Sequence, residues 1–160
     1  MPRRILLCFL VFSLLCLPSC GDTLSPYERL VAFSEVYPLP AGRLYDSRAV
    51  EGEDAYLDPL LFLSLYGEAV DDREDIASYA LFLGTSLSHP WEAGVFLSPD
   101  REAAEEVVGM LHFRIQMVGS LSTGEGLTAQ NTFIRQYGEW VVYGILPDGE
   151  KAARTFDRAF

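Results

Sequence analysis

The apolar residues of this chain change their spacing about halfway along it, and this change limits the fold more than any other feature. In residues 79–83 alternate side chains face opposite sides, with Leu81 and Leu83 on one side and Phe82 on the other. A period of two is typical of a β-strand, and a further strand is predicted at residues 93–97. The spacing therefore predicts a β-hairpin in the middle of the chain.

The strand signal returns near the C-terminus, at residues 132–137 and 140–146. A two-residue turn that begins with Gly138 joins these two strands. A helix follows each hairpin, the first over residues 99–118 and the second from Asp148 onward. The order strand-strand-helix therefore occurs twice.

The longer of these helices has Ser98-Pro99 as its predicted cap, and its apolar positions recur at helical spacing. These positions fall within one arc: Ala104, Val107, Val108, Leu111, Ile115 and Val118. In the last helix, Ala152, Phe156 and Phe160 share a face. Both helices are therefore expected to pack one side against the sheet.

A further helix is predicted before the first hairpin. Ser25 and Glu28 form a capping box around Pro26, which is the first helical residue, so the helix runs over residues 26–36. Residues 43–54 are polar and turn-rich, with only a short extended piece.

Asp58 begins a second N-terminal helix, and Gly67 is a typical stop. This helix is short and apolar, so we expect it to be buried. Together the elements predict an α+β fold: a four-stranded antiparallel sheet from two ββα units, with helices on one side, plus two N-terminal helices. Residues 25–160 are expected to form a single domain.

The first 20 residues have the order of a secretory signal. Arg3 and Arg4 give a basic start, residues 5–17 are an almost unbroken apolar run, and small residues surround Cys20. The run is shorter than the roughly 20 residues that a helix needs to cross a bilayer. Residues 1–19 are therefore predicted to be a signal peptide.

The stretch Leu17-Pro18-Ser19-Cys20 also resembles a lipobox, the cleavage motif of bacterial lipoproteins. The resemblance implies that Cys20 becomes the lipid-bearing first residue, with at least two acyl chains such as palmitate, and that residues 20–24 form a short tether. The alternative is an ordinary signal peptide that is cut elsewhere. The other two cysteines leave with the signal, so no disulfide or Cys-based zinc site is expected and the domain depends on its hydrophobic core.

The chain is acidic, with 23 acidic and 12 basic residues and a net charge of −11. Removal of the signal takes away two of the basic residues and makes the mature chain more negative. Such a surface repels nucleic acid and anionic lipid head groups. We therefore expect no nucleic-acid partner, and membrane contact through the lipid anchor.

Several short motifs occur in a fixed order along the mature chain. They are Leu65-Tyr66-Gly67, an acidic link, Tyr79-Ala80-Leu81, Glu92-Ala93-Gly94-Val95-Phe96, a long helix with Arg114, and Gly138-Glu139-Trp140-Val141-Val142. This order resembles a domain-of-unknown-function family of small lipoproteins from Gram-positive anaerobic bacteria. Some members are encoded near membrane O-acyltransferases, which implies an accessory role in envelope modification. Because the family has no assigned activity, the resemblance carries over no functional residue.

Candidate catalytic and metal-binding residues are few. His89 lies in a turn and His112 on the flank of the long helix, so only the fold could unite them, and surface positions are the simpler interpretation. There is no Gly-x-Ser-x-Gly elbow and no P-loop. Adjacent acids such as Asp71-Asp72 are interpreted as solvated charge. We therefore assign no catalytic, cofactor-binding or metal-ligating residue.

Met110, Phe113 and Met117 form a second apolar stripe on the long helix, opposite its main arc. A helix packed on one face of a sheet is normally polar on its outer side, so something is expected to cover this stripe. The favoured interpretation is one of the two N-terminal helices, since Met often fills gaps in a core. The alternative is a partner surface, because exposed Met and Phe patches mark contacts.

The two tryptophans allow a similar choice. Trp140 is expected to pack across its hairpin on Tyr137, and Trp91 to anchor the edge of the core. The alternative for Trp91 is an aromatic platform for a sugar or peptide.

The leading functional hypothesis is a lipid-anchored, extracytoplasmic, non-enzymatic module that binds an envelope protein or glycan. One alternative is an envelope hydrolase or transferase whose Ser, His and acid meet only in the fold. The other is a structural component of the envelope or spore. The sequence predicts no particular oligomeric state.

Overall fold

The computed structural model describes residues 24–68, 73–86, 90–121 and 130–160. In these ranges the chain forms one antiparallel sheet and four helices. The strands are β1 Gly42–Asp46, β2 Ser78–Gly84, β3 Glu92–Leu97, β4 Thr132–Tyr137 and β5 Trp140–Ile145. The helices are α1 Pro26–Val36, α2 Pro59–Tyr66, α3 Arg101–Leu121 and α4 Gly149–Phe156. The strand order across the sheet is β1-β2-β3-β5-β4, and every neighbouring pair is antiparallel.

The predicted α+β class is confirmed, but the sheet has five strands where the sequence predicted four. The additional strand, β1, lies in the segment that was predicted to be turn-rich, and it pairs with β2 along its whole length. Leu44 packs against the apolar core on one face of the sheet, and Tyr45 packs against the apolar core on the opposite face. Because only these two residues of β1 show the alternation, the sequence signal for a strand is weak. The strand forms because it satisfies the N–H and C=O groups that an uncovered edge of β2 would leave unpaired.

The prediction that helices cover one side of the sheet is wrong, since they cover both. Helices α2 and α3 contribute to a first core on one face, and α1 and α4 contribute to a second core on the other. The two ββα units are therefore not equivalent, because their helices lie on opposite faces. The physical reason is visible in β3 and β5, whose residues are almost all buried: strands that are apolar on both faces need cover on both.

The alternation predicted for β2 is confirmed by the two cores. Tyr79 and Leu81 belong to the first core, and Ala80 and Phe82 to the second. The apolar arc of α3 also packs as predicted. Its members are buried or partly buried in the first core: Ala104, Val107, Val108, Leu111, Ile115 and Val118.

Local capping confirms three of the predicted helix starts. The Ser25 hydroxyl accepts a hydrogen bond from the Glu28 amide, and the Glu28 carboxylate accepts one from the Ser25 amide at 2.8 Å. Asp58 accepts from the Leu60 amide at 2.7 Å. Asp148 caps α4 by accepting from the amide of Lys151 at 2.9 Å.

The predicted cap of α3 is two residues too early. The helix begins at Arg101, and the Asp100 carboxylate accepts from the Ala103 amide at 2.9 Å. Ser98 instead continues the pairing of β3 with β5, because its amide donates to the carbonyl of Glu139, just before β5, at 2.9 Å. Asp is as good an N-cap as Ser, and its position directly before the helix decides between them.

Several predicted features lie outside the described residues. These are the signal peptide, Cys20 with most of its tether, Asp71-Asp72 and His89. No helix within the described ranges has the length and apolar character that a membrane span requires.

Candidate functional site

Four polar side chains meet beneath α2 and α3, on the first face of the sheet. Glu92 begins β3, Tyr143 lies on β5, Tyr66 ends α2, and Arg114 lies on α3. All four are buried, and the two charged ones expose only 3% and 8% of their surface. Charged groups are seldom so deeply buried unless they are paired and hydrogen-bonded.

The hydrogen bonds between these groups form a closed ring. Arg114 donates from Nε to Oε2 of Glu92 at 3.0 Å and from Nη2 to Oε1. The Tyr143 hydroxyl donates to Oε2 of Glu92 at 3.1 Å, which leaves its oxygen to accept from Tyr66 at 2.8 Å. Arg114 Nη1 donates to the carbonyl of Leu65 at 3.4 Å, next to Tyr66, and this contact closes the ring.

Burial and the neighbouring charges keep the hydrogen-bond donors of this network protonated. Burial raises the pKa of Tyr66 above its ordinary value of 10.0, and the Glu92 carboxylate raises it further. Burial also raises the pKa of Tyr143. Burial by itself would lower the pKa of Arg114, but its hydrogen bonds to Glu92 and the carboxylate charge outweigh that effect and leave the pKa raised. Tyr66, Tyr143 and Arg114 therefore remain hydrogen-bond donors, and the ion pair between Arg114 and Glu92 stays in place.

The network determines where α2 lies. The carbonyl of Leu65 is one of the last in α2 and has no partner within the helix, so it can accept from Arg114. A cation near the C-terminus of a helix is also favourable because the helix dipole is negative there. Arg114 thus ties the end of α2 to α3, while Tyr66 ties it to β5. We conclude that these residues position α2 on the sheet and that their role is structural support for its outer surface.

Sequence reasoning did not identify this network, although two signals were present. On α3, Arg114 follows Val107 and Leu111 at helical spacing, so it occupies a position within the apolar arc. In β3, Glu92 opens a strand that is otherwise apolar. A cation and an anion that both occupy core positions are expected to pair.

Helix α2 presents an apolar outer surface to solvent. Phe62, Leu65 and Tyr66 are buried, but Leu60 and Leu63 expose 73% and 39% of their surface. The prediction that this helix is buried is therefore wrong for its outer side. A helix that is apolar all round is normally covered on all sides, so the exposed leucines of α2 are unusual.

The exposed leucines continue into the second apolar stripe of α3. Phe113 exposes 51% of its surface, and its ring lies beside Gly67, at the end of α2. Leu60 and Leu63 precede Gly67 by seven and four residues, which places all three on one side of the helix. We call the exposed side chains of Leu60, Leu63 and Phe113 the α2–α3 surface.

The structure divides the predicted stripe of Met110, Phe113 and Met117. Met110 is buried in the first core, together with residues of α2, as the favoured interpretation expected. Met117 is partly buried, and Phe113 is exposed. Helix α1, the other proposed cover, lies on the opposite face of the sheet and does not cover any part of the stripe.

Open grooves with acidic walls adjoin the α2–α3 surface. Among the described residues that line them, Arg73 is basic, and it already pairs with Asp75 and Glu68. The acidic residues that line these grooves are Glu68, Glu74, Asp75, Asp100, Glu102 and Glu106. The end of α2 and the first half of α3 therefore carry a concentrated negative charge.

The predicted chemistry-bearing residues do not come together in the described part of the chain. His112 is exposed on α3, and His89 lies outside that part. Within the described ranges, no group of three His, Cys, Asp or Glu side chains is arranged to hold a metal ion.

Both tryptophans lie at the edges of the cores. Trp91 is partly buried and packs against both cores. Trp140 stands opposite Tyr137 across the β4–β5 hairpin, as predicted. Its ring also contacts the guanidinium of Arg29, 4.5 Å from the ring centroid, and the ring of Phe160 at 5.7 Å.

Comparison of the chain with protein-family models, with curated proteins and with solved structures finds no match. The resemblance to small lipoproteins therefore stays a prediction, and functional inference depends on the geometry described above.

Proposed function

We propose that this protein is a lipid-anchored, extracytoplasmic module that binds a partner protein through the α2–α3 surface. The observation that carries the proposal is the exposure of Leu60, Leu63 and Phe113 on a helix pair that a buried ion pair holds in place. Water contact with three large apolar side chains is unfavourable, by about 25 cal/mol for each Å² of apolar area. Binding of a partner would remove this area from water.

The chemistry of the surface supports a protein partner over a glycan. Sugars are bound by polar groups that satisfy their hydroxyls, together with aromatic rings that stack on them. The α2–α3 surface offers two leucines and one phenylalanine, none of which has a side-chain donor or acceptor. An apolar side chain from another protein fits this chemistry better.

The proposed location rests on the order of residues around Cys20. Two acyl chains on Cys20 would hold the protein stably at the membrane. The acidic body would be repelled by anionic head groups and would stay clear of the bilayer surface. The α2–α3 surface would then remain open to other envelope proteins.

The anchor is tested by mass spectrometry of the N-terminal peptide from the full chain purified from its host. The expected peptide begins at Cys20 and carries acyl chains. A peptide that retains Met1, or an unmodified Cys20, would show that the anchor is wrong.

Binding is tested by affinity capture of the full chain from solubilised membranes. Phe113→Ser and Leu60→Ser should each reduce recovery of the specific partner, because each removes exposed apolar area from the contact. Val36→Ser is the matched control, since Val36 is an exposed aliphatic residue on α1, on the other face of the sheet. Equal recovery by all three variants would contradict the proposed docking surface.

A further inference from the structure

The outer face of α3 changes in character along its length. Glu102 and Glu106 are one turn apart, and Phe113 follows Glu106 by seven residues, so the three lie on the same side of the helix. The face is therefore acidic near the start of α3 and apolar farther along. A partner that lies along α3 over Phe113 and extends about 10 Å toward the start of the helix also meets Glu106.

Carboxylates outnumber cations at the acidic end among the residues that the structure describes. Six carboxylates and one arginine, Arg73, line the grooves there. Arg73 already forms ion pairs with Asp75 and Glu68, and only 11% of its side chain is exposed. The groove can therefore gain from positive charge that a partner brings.

The same charge disfavours two other occupants. A second copy of this chain would bring its own acidic groove toward this one, and the whole chain has a net charge of −11. An anionic lipid surface would be repelled for the same reason. A partner with positive charge beside its apolar residues is attracted by both parts of the surface.

The length of the apolar part of the site matches that of a short helical segment. Leu60 on α2 and Gly67, which caps the end of α2, are seven residues apart, and this spacing corresponds to about 10 Å along the helix axis. A partner helix presents apolar side chains at i, i+4 and i+7 over a similar length, and such helices bind in apolar grooves between elements. The α2–α3 surface supplies the apolar part of such a site.

We infer that the partner segment is a cationic amphipathic helix, with an apolar face that covers Leu60, Leu63 and Phe113 and basic residues that meet Glu102 and Glu106. The inference rests on the proposed function, because it names the kind of partner that the same surface takes. The apolar face supplies affinity, and the basic residues supply orientation and selectivity over neutral helices.

The experiment uses the full processed chain in nanodiscs of zwitterionic lipid, with empty nanodiscs as the reference for binding to lipid. The probe is a labelled peptide of about 14 residues, roughly four helical turns, with leucines at i, i+4 and i+7 and lysines beside them. A scrambled peptide and a peptide with glutamates in place of the lysines are the comparisons. Binding is measured by fluorescence anisotropy at low and high salt.

The lysine peptide should bind more tightly than both comparison peptides, and its affinity should fall as salt is raised. Phe113→Ser should weaken binding by about tenfold, the size expected for a central apolar contact. The double substitution Glu102→Gln and Glu106→Gln should weaken binding and flatten the salt dependence. Glu35→Gln and Val36→Ser, on the exposed side of α1, are the matched controls. They should leave the affinity for the lysine peptide and its salt dependence unchanged.

Three results would overturn the inference: equal binding of the scrambled peptide, no effect of Phe113→Ser, or binding of the glutamate peptide as tightly as the lysine peptide. Self-association in sedimentation experiments that Phe113→Ser abolishes would identify a second copy as the occupant and would also overturn it.

This failure can be distinguished from failure of the proposed function. If Phe113→Ser reduces capture of the native partner but the lysine peptide does not bind, the docking surface stands and the partner chemistry is wrong. If Phe113→Ser leaves native capture unchanged, the docking surface itself is wrong.

Discussion

Arg114 on α3 and Glu92 on β3 form a buried ion pair in which two guanidinium nitrogens donate to the two carboxylate oxygens. Desolvation of two charges is costly, and good geometry with further hydrogen bonds offsets this cost. Here Tyr143 donates to Glu92, and the Leu65 carbonyl accepts from Arg114. The pair therefore joins the sheet, α3 and the end of α2 at one point.

Removal of one partner of this pair should strongly destabilise the protein. We expect Arg114→Met to lower the free energy of unfolding by about 3–5 kcal/mol, because the Glu92 carboxylate is then buried without its counter-charge. Replacement of both residues by methionine should cost clearly less than the sum of the two single substitutions. Urea denaturation of the three variants measures the difference.

Arg154→Met is the control for this experiment. Arg154 also pairs with a glutamate, Glu150, but on the exposed side of α4 at a spacing of four residues. Its loss should cost no more than about 0.5 kcal/mol, since both groups are solvated. Similar costs for Arg154→Met and Arg114→Met would contradict the role given to the buried pair.

Met110 and Phe113 lie close together on α3, but their substitution should have different consequences. Met110→Ala is expected to cost about 2–5 kcal/mol, because it leaves a cavity in the first core. Phe113→Ser should lower stability by no more than about 1.5 kcal/mol, since half of the residue is already exposed. Thermal denaturation of both variants makes the comparison. A large loss of stability in Phe113→Ser would mean that Phe113 is part of the core.

Local signals were sufficient to predict most of the elements. The capping box at Ser25 and Glu28, the cap at Asp58 and the positive φ of Gly67 each depend on residues within one turn of the chain. The period of two in β2 is equally local. Such signals predict the local structure correctly because they involve only residues that are neighbours in the sequence.

Features that depend on distant parts of the chain were predicted less well. Strand β1 exists because β2 offers it an edge, and this is not visible in the five residues of β1. The cover on both faces follows from strands that are apolar on both sides, a pattern that favours two helical layers over one. Phe160 was predicted on the face of the last helix, but α4 ends at Phe156 and the Phe160 ring packs on Tyr137.

The candidate site was predicted only in part. The stripe on α3 was visible from helical spacing, but its division into a buried Met110 and an exposed Phe113 depends on where α2 ends. That position depends in turn on Arg114 and Tyr66, whose partners lie 22 and 77 residues away in the sequence. Sequence periodicity carries no information about such contacts.

The capping box of α1 predicts a dependence of stability on pH. The Ser25 amide donates to the Glu28 carboxylate and lowers its pKa below the ordinary value of 4.5. A carboxylate whose pKa is lowered in the folded state stabilises that state above pH 4.5, and this contribution is lost as the pH falls through the lowered pKa. Glu28→Gln should therefore lower Tm at neutral pH, and the difference from wild type should shrink below pH 4.5.

Glu35→Gln is the control for this effect, because Glu35 is an exposed glutamate on the same helix. Melting curves between pH 3 and 7 provide the measurement. A difference between Glu28→Gln and wild type that stays constant over this range would show that the charge of Glu28 does not contribute.

Gly94 leaves the space that the Tyr143 ring occupies in the first core. An added Cβ at Gly94 would clash with Cε1 of Tyr143 and would lie 2.9 Å from Cδ2 of Leu81. Gly94→Ala should therefore displace the Tyr143 ring and cost about 1–3 kcal/mol, the usual range for overpacking. Because Tyr143 accepts from Tyr66 and donates to Glu92, its displacement also weakens the attachment of α2.

Hydrogen exchange separates this effect from a general loss of stability. Amides of α2 should exchange faster in Gly94→Ala by a larger factor than amides of α1, which packs on the other face of the sheet. Gly109→Ala is the matched control, since a Cβ at Gly109 on α3 meets no other atom within 4 Å. Equal acceleration of exchange in α1 and α2 would contradict the conclusion that the buried network holds α2, and with it the α2–α3 surface, in place.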